Sequence, residues 1–201
     1  MNDKGNYMPA WGTCLGFQYL ATYAATSGLE VLSENAFDSN DDNYPLNFLV
    51  PANETKMFED LGSLNFLLAN FNLTYNHHHD GVTPDKFESD KGLKSIFKPT
   101  SVSYDNKGKV FVASMEGHTY PFYGVQFHPE KQLFVFYPDT KIDHSRRSNE
   151  MNRYFGDFFV GESRFNHNKF SSYEEEVAHQ TETLGDLIVL PTYTGLVYAF
   201  K

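Results

Sequence analysis

The sequence predicts an α/β fold in one domain covering residues 1–201. Three observations support this prediction. A strand pattern runs directly into a helix pattern within the first 24 residues, and further strand and helix patterns follow along the chain. No linker, internal repeat or low-complexity tract interrupts them. The 19 Phe and 13 Tyr can supply an aromatic-rich core, and 201 residues are enough to bury one.

In the first half of the chain, the sequence predicts one strand and three helices, with loops between them. Residues 7–13 form a short strand, and Leu15, Tyr19, Leu20 and Tyr23 recur at helical spacing until Ser27-Gly28. The polar segment 33–46 ("SENAFDSNDDNYPL") is predicted to be a surface loop. Helices are predicted at 56–71 and from Pro84 towards Leu93, with the loop "NHHHDGVTP" before the second one.

The second half is richer in strands. Strands are predicted at 101–104, 109–115 and 123–127, and "DNKG" between the first two indicates a hairpin. The run "LFVFYP" at 133–138 is a fourth strand or an irregular extended segment. Residues 149–165 have helical spacing, and an acidic stretch then precedes a last extended run, "LIVLPTYTGLVYAF".

Charge and cysteine content exclude several classes of protein. A net charge of -10 argues against a nucleic-acid partner, and an anionic substrate would need a local basic patch. One cysteine excludes an internal disulfide and a Cys-based zinc site. The sequence has no run of about 18 apolar residues, so it predicts no membrane-spanning helix. The amino-terminal "MNDKGNYMPAWG" has no hydrophobic core of a signal peptide.

The single cysteine, Cys14, lies in "GTCLG" at the predicted junction of strand and helix. A nucleophile on such a sharp turn needs an unusual backbone angle, and we expect the flanking glycines, Gly12 and Gly16, to remove Cβ atoms that would collide. A helix amino terminus favours the thiolate, and the Leu15 N–H would face an oxyanion. A small buried hydrophobic residue is the alternative interpretation of this spacing.

Histidines supply the other candidates. His128 ends a strand in "YGVQFHPEK", where it could serve as a base with Glu130 as its partner, or lie on the surface in a Pro turn. His77, His78 and His79 are consecutive, so at most two of them could share one ion. We expect a solvated loop there and no metal site.

Several segments, in order, resemble those of gamma-glutamyl hydrolases, the folate polyglutamate peptidases of the class I glutamine amidotransferase-like superfamily. They are "WGTCLGF", "PLNF", "MF" at 57–58, "SMEGHTYPFYGVQFHPEK" and "FGDFFVGESR", and the resemblance runs from about residue 6 to "PTYTG". "GTCLGF" and "HPE" are typical of the whole superfamily. The "MEG-x-x-YP-x-YGVQ-x-HPEK" block and "PTYTG" favour the hydrolases.

The resemblance implies a doubly wound, flavodoxin-like sheet with helices on both faces. It implies Cys14 as the nucleophile, His128 as the catalytic base and Glu130 as the carboxylate that orients it. Because the family has a histidine three residues before the position of Gly81, it implies His78 as an active-site neighbour. Where the family usually has an acidic residue, this chain has Gln18.

The implied reaction is hydrolysis of folyl or antifolate poly-gamma-glutamates through a thioester on Cys14. It needs no cofactor, and the implied setting is lysosomal or secreted, with a homodimer as the assembly. Asn53-Glu54-Thr55 and Asn72-Leu73-Thr74 are sequons for N-glycosylation. Rival interpretations are a glutaminase subunit of an amidotransferase and an inactive paralogue that serves as a structural component.

The family also has an amino-terminal strand-helix-strand region whose Gly-rich loop supplies a second oxyanion donor. That region would lie before Met1, so we expect the chain to correspond to the carboxyl-terminal two-thirds of the family domain, with the amino-terminal strands missing. It would then be a fragment, one piece of a processed protein still bound to its separate amino-terminal piece, or a degenerate paralogue.

Overall fold

A computed structural model of the chain describes residues 1–189 and 196–200. They fall into two compact units, Met1–Asn166 and a shorter one that begins at His167. The larger unit contains every candidate site residue named above. The expectation of a single domain over 1–201 stays a prediction.

Five strands form the main sheet of the larger unit. Their order across the sheet is β1 (Ala10–Thr13), β7 (Phe122–Val125), β6 (Val110–Gly117), β5 (Phe97–Tyr104) and β3 (Asn47–Phe48). β1 and β7 are parallel, whereas the other neighbours are antiparallel. The predicted α/β class is confirmed, with a mixed sheet. Because β1 and β7 are parallel neighbours, their carboxyl ends lie at the same edge of the sheet.

Helices cover both faces of this sheet, as the resemblance implies. β6 is the middle strand, and six of its eight residues are buried. Phe111 and Ala113 of β6 belong to one buried cluster, with residues of α6 (Arg146–Ser163). Val112 and Met115 belong to a second cluster, with residues of α1 (Leu15–Ala24), α3 (Pro84–Ser89) and α4 (Lys91–Ile96). The two clusters are the two hydrophobic layers that hold the sheet between helices.

The predicted hairpin between β5 and β6 is confirmed. Asp105, at the end of β5, accepts hydrogen bonds from the backbone N–H groups of Lys107 and Lys109, at 2.9 and 2.7 Å. Gly108 closes the turn with a φ of 77°, a conformation that glycine adopts without steric penalty. An aspartate that caps its own turn in this way fixes the register of the two strands.

A second, two-stranded sheet corrects the prediction of a loop at 33–46. β2 (Ser39–Tyr44) pairs antiparallel with β4 (Thr74–His78). The sequence "SNDDNY" does not predict this strand, because apolar and polar residues do not alternate in it. Its register shifts between Asn40 and Asp42, and Asp41 has a φ of 54°, so Asp41 is a bulge. β4 also shows that two of the three histidines lie on a strand and not in the predicted loop.

Two further predictions need correction. The run 133–138 contains no strand: α5 (Lys131–Phe134) occupies its start, and Phe134 and Phe136 are 78% and 69% exposed, so the run does not supply a core strand. The helix predicted at 56–71 is a 3-10 helix, Glu59–Leu64, followed by α2 (Asn65–Asn70). Gly62 interrupts it with a φ of 53°.

The smaller unit contains α7 (Tyr173–Ala178), α8 (Thr181–Leu184) and an antiparallel pair of strands, β8 (Gly185–Val189) and β9 (Leu196–Phe200). Ser172 caps α7 by accepting a hydrogen bond from the Glu175 backbone N–H at 3.2 Å. The last predicted extended run, "LIVLPTYTGLVYAF", is confirmed at both of its ends, because β8 includes its start and β9 its end. The "PTYTG" segment on which the resemblance partly relied lies outside the described residues.

Candidate active site

Cys14 occupies the sharp turn between β1 and α1. Its φ and ψ are 51° and -104°, a region that residues with a Cβ rarely adopt. Its N–H donates to the Val125 carbonyl of β7 at 2.8 Å, and its own carbonyl accepts from the Gln18 N–H at 3.1 Å. Bonds to both a strand and a helix hold the strained residue in place. Its thiol is partly exposed and lies at the amino terminus of a ten-residue helix, a position that favours the thiolate.

The two flanking glycines have different roles, which corrects one expectation. A Cβ on Gly12 would lie 2.5 Å from both the C and O atoms of Gly16, so β1 and α1 can approach only if residue 12 is glycine. A Cβ on Gly16 would meet no described atom within 4 Å. The expected collision therefore exists at Gly12 and does not exist at Gly16.

His128 follows β7, so it leaves the sheet at the same edge as Cys14. Its N–H donates to the Tyr75 carbonyl of β4 at 2.8 Å, and its Nδ1 lies 2.7 Å from Glu130 Oε1. A carboxylate oxygen accepts, so Nδ1 carries a proton and Nε2 is left for the thiol. Burial by itself lowers the pKa of His128, but hydrogen bonds with Cys14 and Glu130 outweigh it and raise this pKa to about 9. The structure thus brings Cys14, His128 and Glu130 together.

His78, the predicted neighbour, is 6% exposed, whereas His77 and His79 are exposed. Its Nδ1 hydrogen-bonds with the Asp80 carbonyl at 2.8 Å, and its Nε2 lies 3.2 Å from Asn76 Oδ1. Burial lowers the pKa of His78 to about 4, so the ring is neutral at pH 7. Among the residues that the structure describes, no group of three or more His, Cys, Asp or Glu is arranged to hold a metal ion.

Two glutamines near Cys14 were not among the predicted site residues. Gln126 is fully buried, and its Nε2 lies 3.7 Å from the sulfur of Cys14. Gln18 is 5% exposed and donates to Gln126 Oε1 at 3.3 Å. The sequence holds one signal for Gln126: it lies two residues before His128, and alternate residues of an extended segment face the same side. The sequence holds no such signal for a contact between Gln18 and Gln126.

Similarity to known proteins agrees with this geometry. The family model described as "Glutamine amidotransferase class-I" matches residues 3–138, which is more than half of the chain. The matched range contains the turn at Cys14 and the segment with His128 and Glu130. The chain belongs to the class-I glutamine amidotransferase family.

Curated relatives of this amidotransferase-family chain are gamma-glutamyl hydrolases. Gamma-glutamyl hydrolase B of Dictyostelium discoideum is 34% identical over 198 residues, which cover 96% of this chain and 54% of the relative. The gamma-glutamyl hydrolases of Rattus norvegicus and Homo sapiens are 34% identical over 200 residues, which cover 99% of this chain and 60% of each relative. The chain therefore spans less than two thirds of their length.

A cavity of about 770 Å³ adjoins the site, and His128 and Glu130 lie on its wall. Most of the lining is apolar, and it includes Trp11, Leu133 and Phe155. Cavities of this volume suit small molecules. In this amidotransferase-family chain, a largely apolar surface thus lies directly beside the polar groups around the thiol.

Proposed function

We propose that this chain hydrolyses gamma-glutamyl amide bonds with Cys14 as the nucleophile. The single observation that carries the proposal is the arrangement of Cys14, His128 and Glu130: His128 Nδ1 lies 2.7 Å from Glu130 Oε1, and interactions with both Cys14 and Glu130 raise the pKa of His128. Similarity to gamma-glutamyl hydrolases over nearly the whole chain supports the choice of bond. Class-I amidotransferase chemistry and this hydrolysis both begin with a thiol attack on a gamma-glutamyl amide.

In the first half of the reaction, the Cys14 thiolate attacks the amide carbon and forms a C–S bond. A pKa of about 9 means that His128 is an imidazolium at neutral pH, so the ring already carries the proton that the leaving group will need. The Leu15 N–H, in the first turn of α1, stabilises the oxyanion. When the C–N bond breaks, His128 Nε2 gives its proton to the leaving amine, and Glu130 keeps the ring oriented.

In the second half, neutral His128 takes a proton from water, and the oxygen attacks the thioester carbon. A C–O bond forms, the C–S bond breaks, and the free gamma-carboxyl product leaves. The site returns to thiolate and imidazolium, so no cofactor is consumed. His128 therefore serves first as an acid and then as the base that the resemblance implies.

The substrate we propose is a folyl or antifolate poly-gamma-glutamate. Its carboxylates need a cation near the site, and Lys131 is a candidate. The Lys131 ammonium lies 5.3 Å from the centre of the Tyr75 ring, which is itself 6.5 Å from the ring of His128. A cation on the Tyr75 side of His128 would offset the overall negative charge where we propose that the substrate tail binds.

We also propose a lysosomal or secreted location, a homodimer as the assembly, and association with a separate amino-terminal piece if the protein is processed. Both sequon residues, Asn53 and Asn72, are exposed, which is compatible with glycans there. A loss of mass on endoglycosidase treatment would test this.

Across the part of the chain that is described, no helix has the length and apolarity to cross a membrane.

The test is hydrolysis of a pteroylpolyglutamate by the protein made from its complete coding sequence, followed by chromatography of the products. Cys14→Ala and His128→Ala are each expected to lower kcat/KM by roughly 1,000-fold or more. His77→Ala is the matched control, since this exposed histidine neighbours the site without a role in it, and it should stay within about 2-fold. Cleavage that survives Cys14→Ala would contradict the proposal.

A second candidate function is a glutaminase that passes ammonia to a synthase partner, favoured by the family match over residues 3–138. The same Cys14 chemistry would then act on free glutamine. Release of glutamate from glutamine, without cleavage of pteroylpolyglutamate, would select this function. Failure of both reactions would favour an inactive, structural paralogue.

A further inference from the structure

We propose that Gln126 is a positioning residue whose side-chain amide donates a hydrogen bond to the Cys14 sulfur and stabilises it as a thiolate. The inference rests on the proposed function, because it concerns the same nucleophile. Gln126 is fully buried, and its Nε2 lies 3.7 Å from the sulfur. Its backbone N–H donates to the Ala113 carbonyl of β6 at 2.9 Å, which fixes its position beside the sheet.

A glutamine amide could present either its oxygen or its nitrogen to the sulfur, and the neighbours of Gln126 select the nitrogen. Gln18 Nε2 lies 3.0 Å from the Asp80 carbonyl oxygen and 3.3 Å from Gln126 Oε1. A carbonyl oxygen can only accept, so Gln18 must direct its NH2 group towards Asp80. The same NH2 group also donates to Gln126, so the side-chain oxygen of Gln126 must face Gln18 and accept this hydrogen bond. The NH2 group of Gln126 is left to face Cys14.

The far end of this chain of hydrogen bonds is fixed as well. His78 Nδ1 hydrogen-bonds with the same Asp80 carbonyl at 2.8 Å, so that oxygen receives two donors. Gln18, Gln126 and His78 are all buried, and water has little access to replace their bonds. Gln18 therefore donates both to Asp80 and to Gln126, and Gln126 in turn donates to the sulfur.

The bond to Cys14 matters because an amide N–H and an amide oxygen act on a thiolate with opposite signs. An N–H donor aimed at a charged sulfur stabilises the charge, whereas an oxygen in the same position repels it. The titratable groups around this position are His128 and Glu130, from the segment after β7, His78, the last residue of β4, and Asp80, which follows β4. All four remain in each variant below, and Gln126→Met and Gln18→Leu add no charge, so a change in thiol reactivity in these two variants reports on the amide.

The test uses the full chain and needs no substrate. Cys14 is the only cysteine, so the rate of alkylation by iodoacetamide reports this sulfur alone. Gln126→Met keeps the side-chain length and removes the donor. It should move the pH midpoint of alkylation upward by about 1 unit, with roughly tenfold slower reaction below the midpoint. Gln126→Glu, an isosteric change that replaces the NH2 group with oxygen, should move it at least as far.

Two further variants separate positioning from packing. Gln132→Met makes the same change at another fully buried glutamine, whose Nε2 donates to the Leu73 carbonyl, and it should leave the midpoint unchanged. Gln18→Leu leaves Gln126 in place but frees its amide to turn over, so a smaller upward shift is expected.

The inference fails if folded Gln126→Met and Gln126→Glu both keep the wild-type midpoint, or if Gln132→Met moves it equally. If Gln126→Met does not fold, the isosteric Gln126→Glu decides alone. An upward shift without any gamma-glutamyl hydrolysis would support this inference and contradict the proposed function. Hydrolysis that depends on Cys14, without a shift in the Gln126 variants, would do the reverse.

Discussion

A methyl group added at Gly12 would collide with the backbone of Gly16, whereas one added at Gly16 would meet no described atom within 4 Å. We therefore predict that Gly12→Ala lowers the free energy of unfolding by about 2 kcal/mol or more, because backbone atoms cannot move aside as side chains can. Gly16→Ala should leave it unchanged or raise it by up to about 1 kcal/mol, since alanine is the better helix residue. Urea unfolding of both variants checks this pair. Equal effects would contradict it.

The raised pKa of His128 makes its contribution to stability depend on pH. The imidazolium is favoured in the folded state up to a pKa of about 9, against 6.5 when unfolded. Its stabilising effect is therefore complete below pH 6.5 and is lost as pH rises through about 9. We predict that the gap in unfolding free energy between wild type and His128→Gln shrinks over this range by roughly 1–3 kcal/mol. Exposed His118, changed to Gln, is the control; a gap independent of pH would refute the prediction.

At the scale of elements, Asp90 joins two helices. Its carboxylate accepts from the backbone N–H groups of Thr26 and Ser27, after the end of α1, and from that of Leu93 in α4. Burial alone would raise the pKa of Asp90, but these hydrogen bonds hold it well below 3.8. The stabilisation is thus present above pH 3.8 and is lost as the pH falls further.

We predict that Asp90→Ala lowers the free energy of unfolding by about 2–4 kcal/mol at pH 7. The loss should be smaller at pH 3, where the wild-type carboxyl begins to lose its advantage. Asp85→Ala, at an exposed position in the first turn of α3, should lower it by less than about 1 kcal/mol. Chemical denaturation at the two pH values measures both effects, and a loss that grows on acidification would count against the capping role.

Elements with a strong local signal could be predicted from the sequence, and elements held by distant partners could not. α1, α6 and the β5–β6 hairpin have helical spacing or turn residues that decide their conformation locally. β2 is a strand because it pairs with β4, and its own residues have no pattern that predicts a strand. The same distinction holds in the site: Cys14 and His128 have local motifs, whereas the contact between Gln18 and Gln126 exists only after folding.

At the scale of the whole molecule, both buried clusters lie within Met1–Asn166. We predict that a chain ending at Asn166 folds cooperatively and keeps the alkylation rate of Cys14 within about 2-fold, because the packing that supports the thiol is retained. Near-ultraviolet circular dichroism and thermal unfolding would measure this. A truncated chain without near-ultraviolet signal would show that the larger unit depends on the residues after 166.

The parallel pairing of β1 with β7 has a consequence for how this site can vary. The nucleophile and its proton donor are separated by more than half of the chain, yet one strand pairing sets their spacing. Insertions and deletions in the intervening loops can therefore accumulate without changing the distance across which the proton moves. A slip of one residue between β1 and β7 would leave every loop intact and abolish the chemistry.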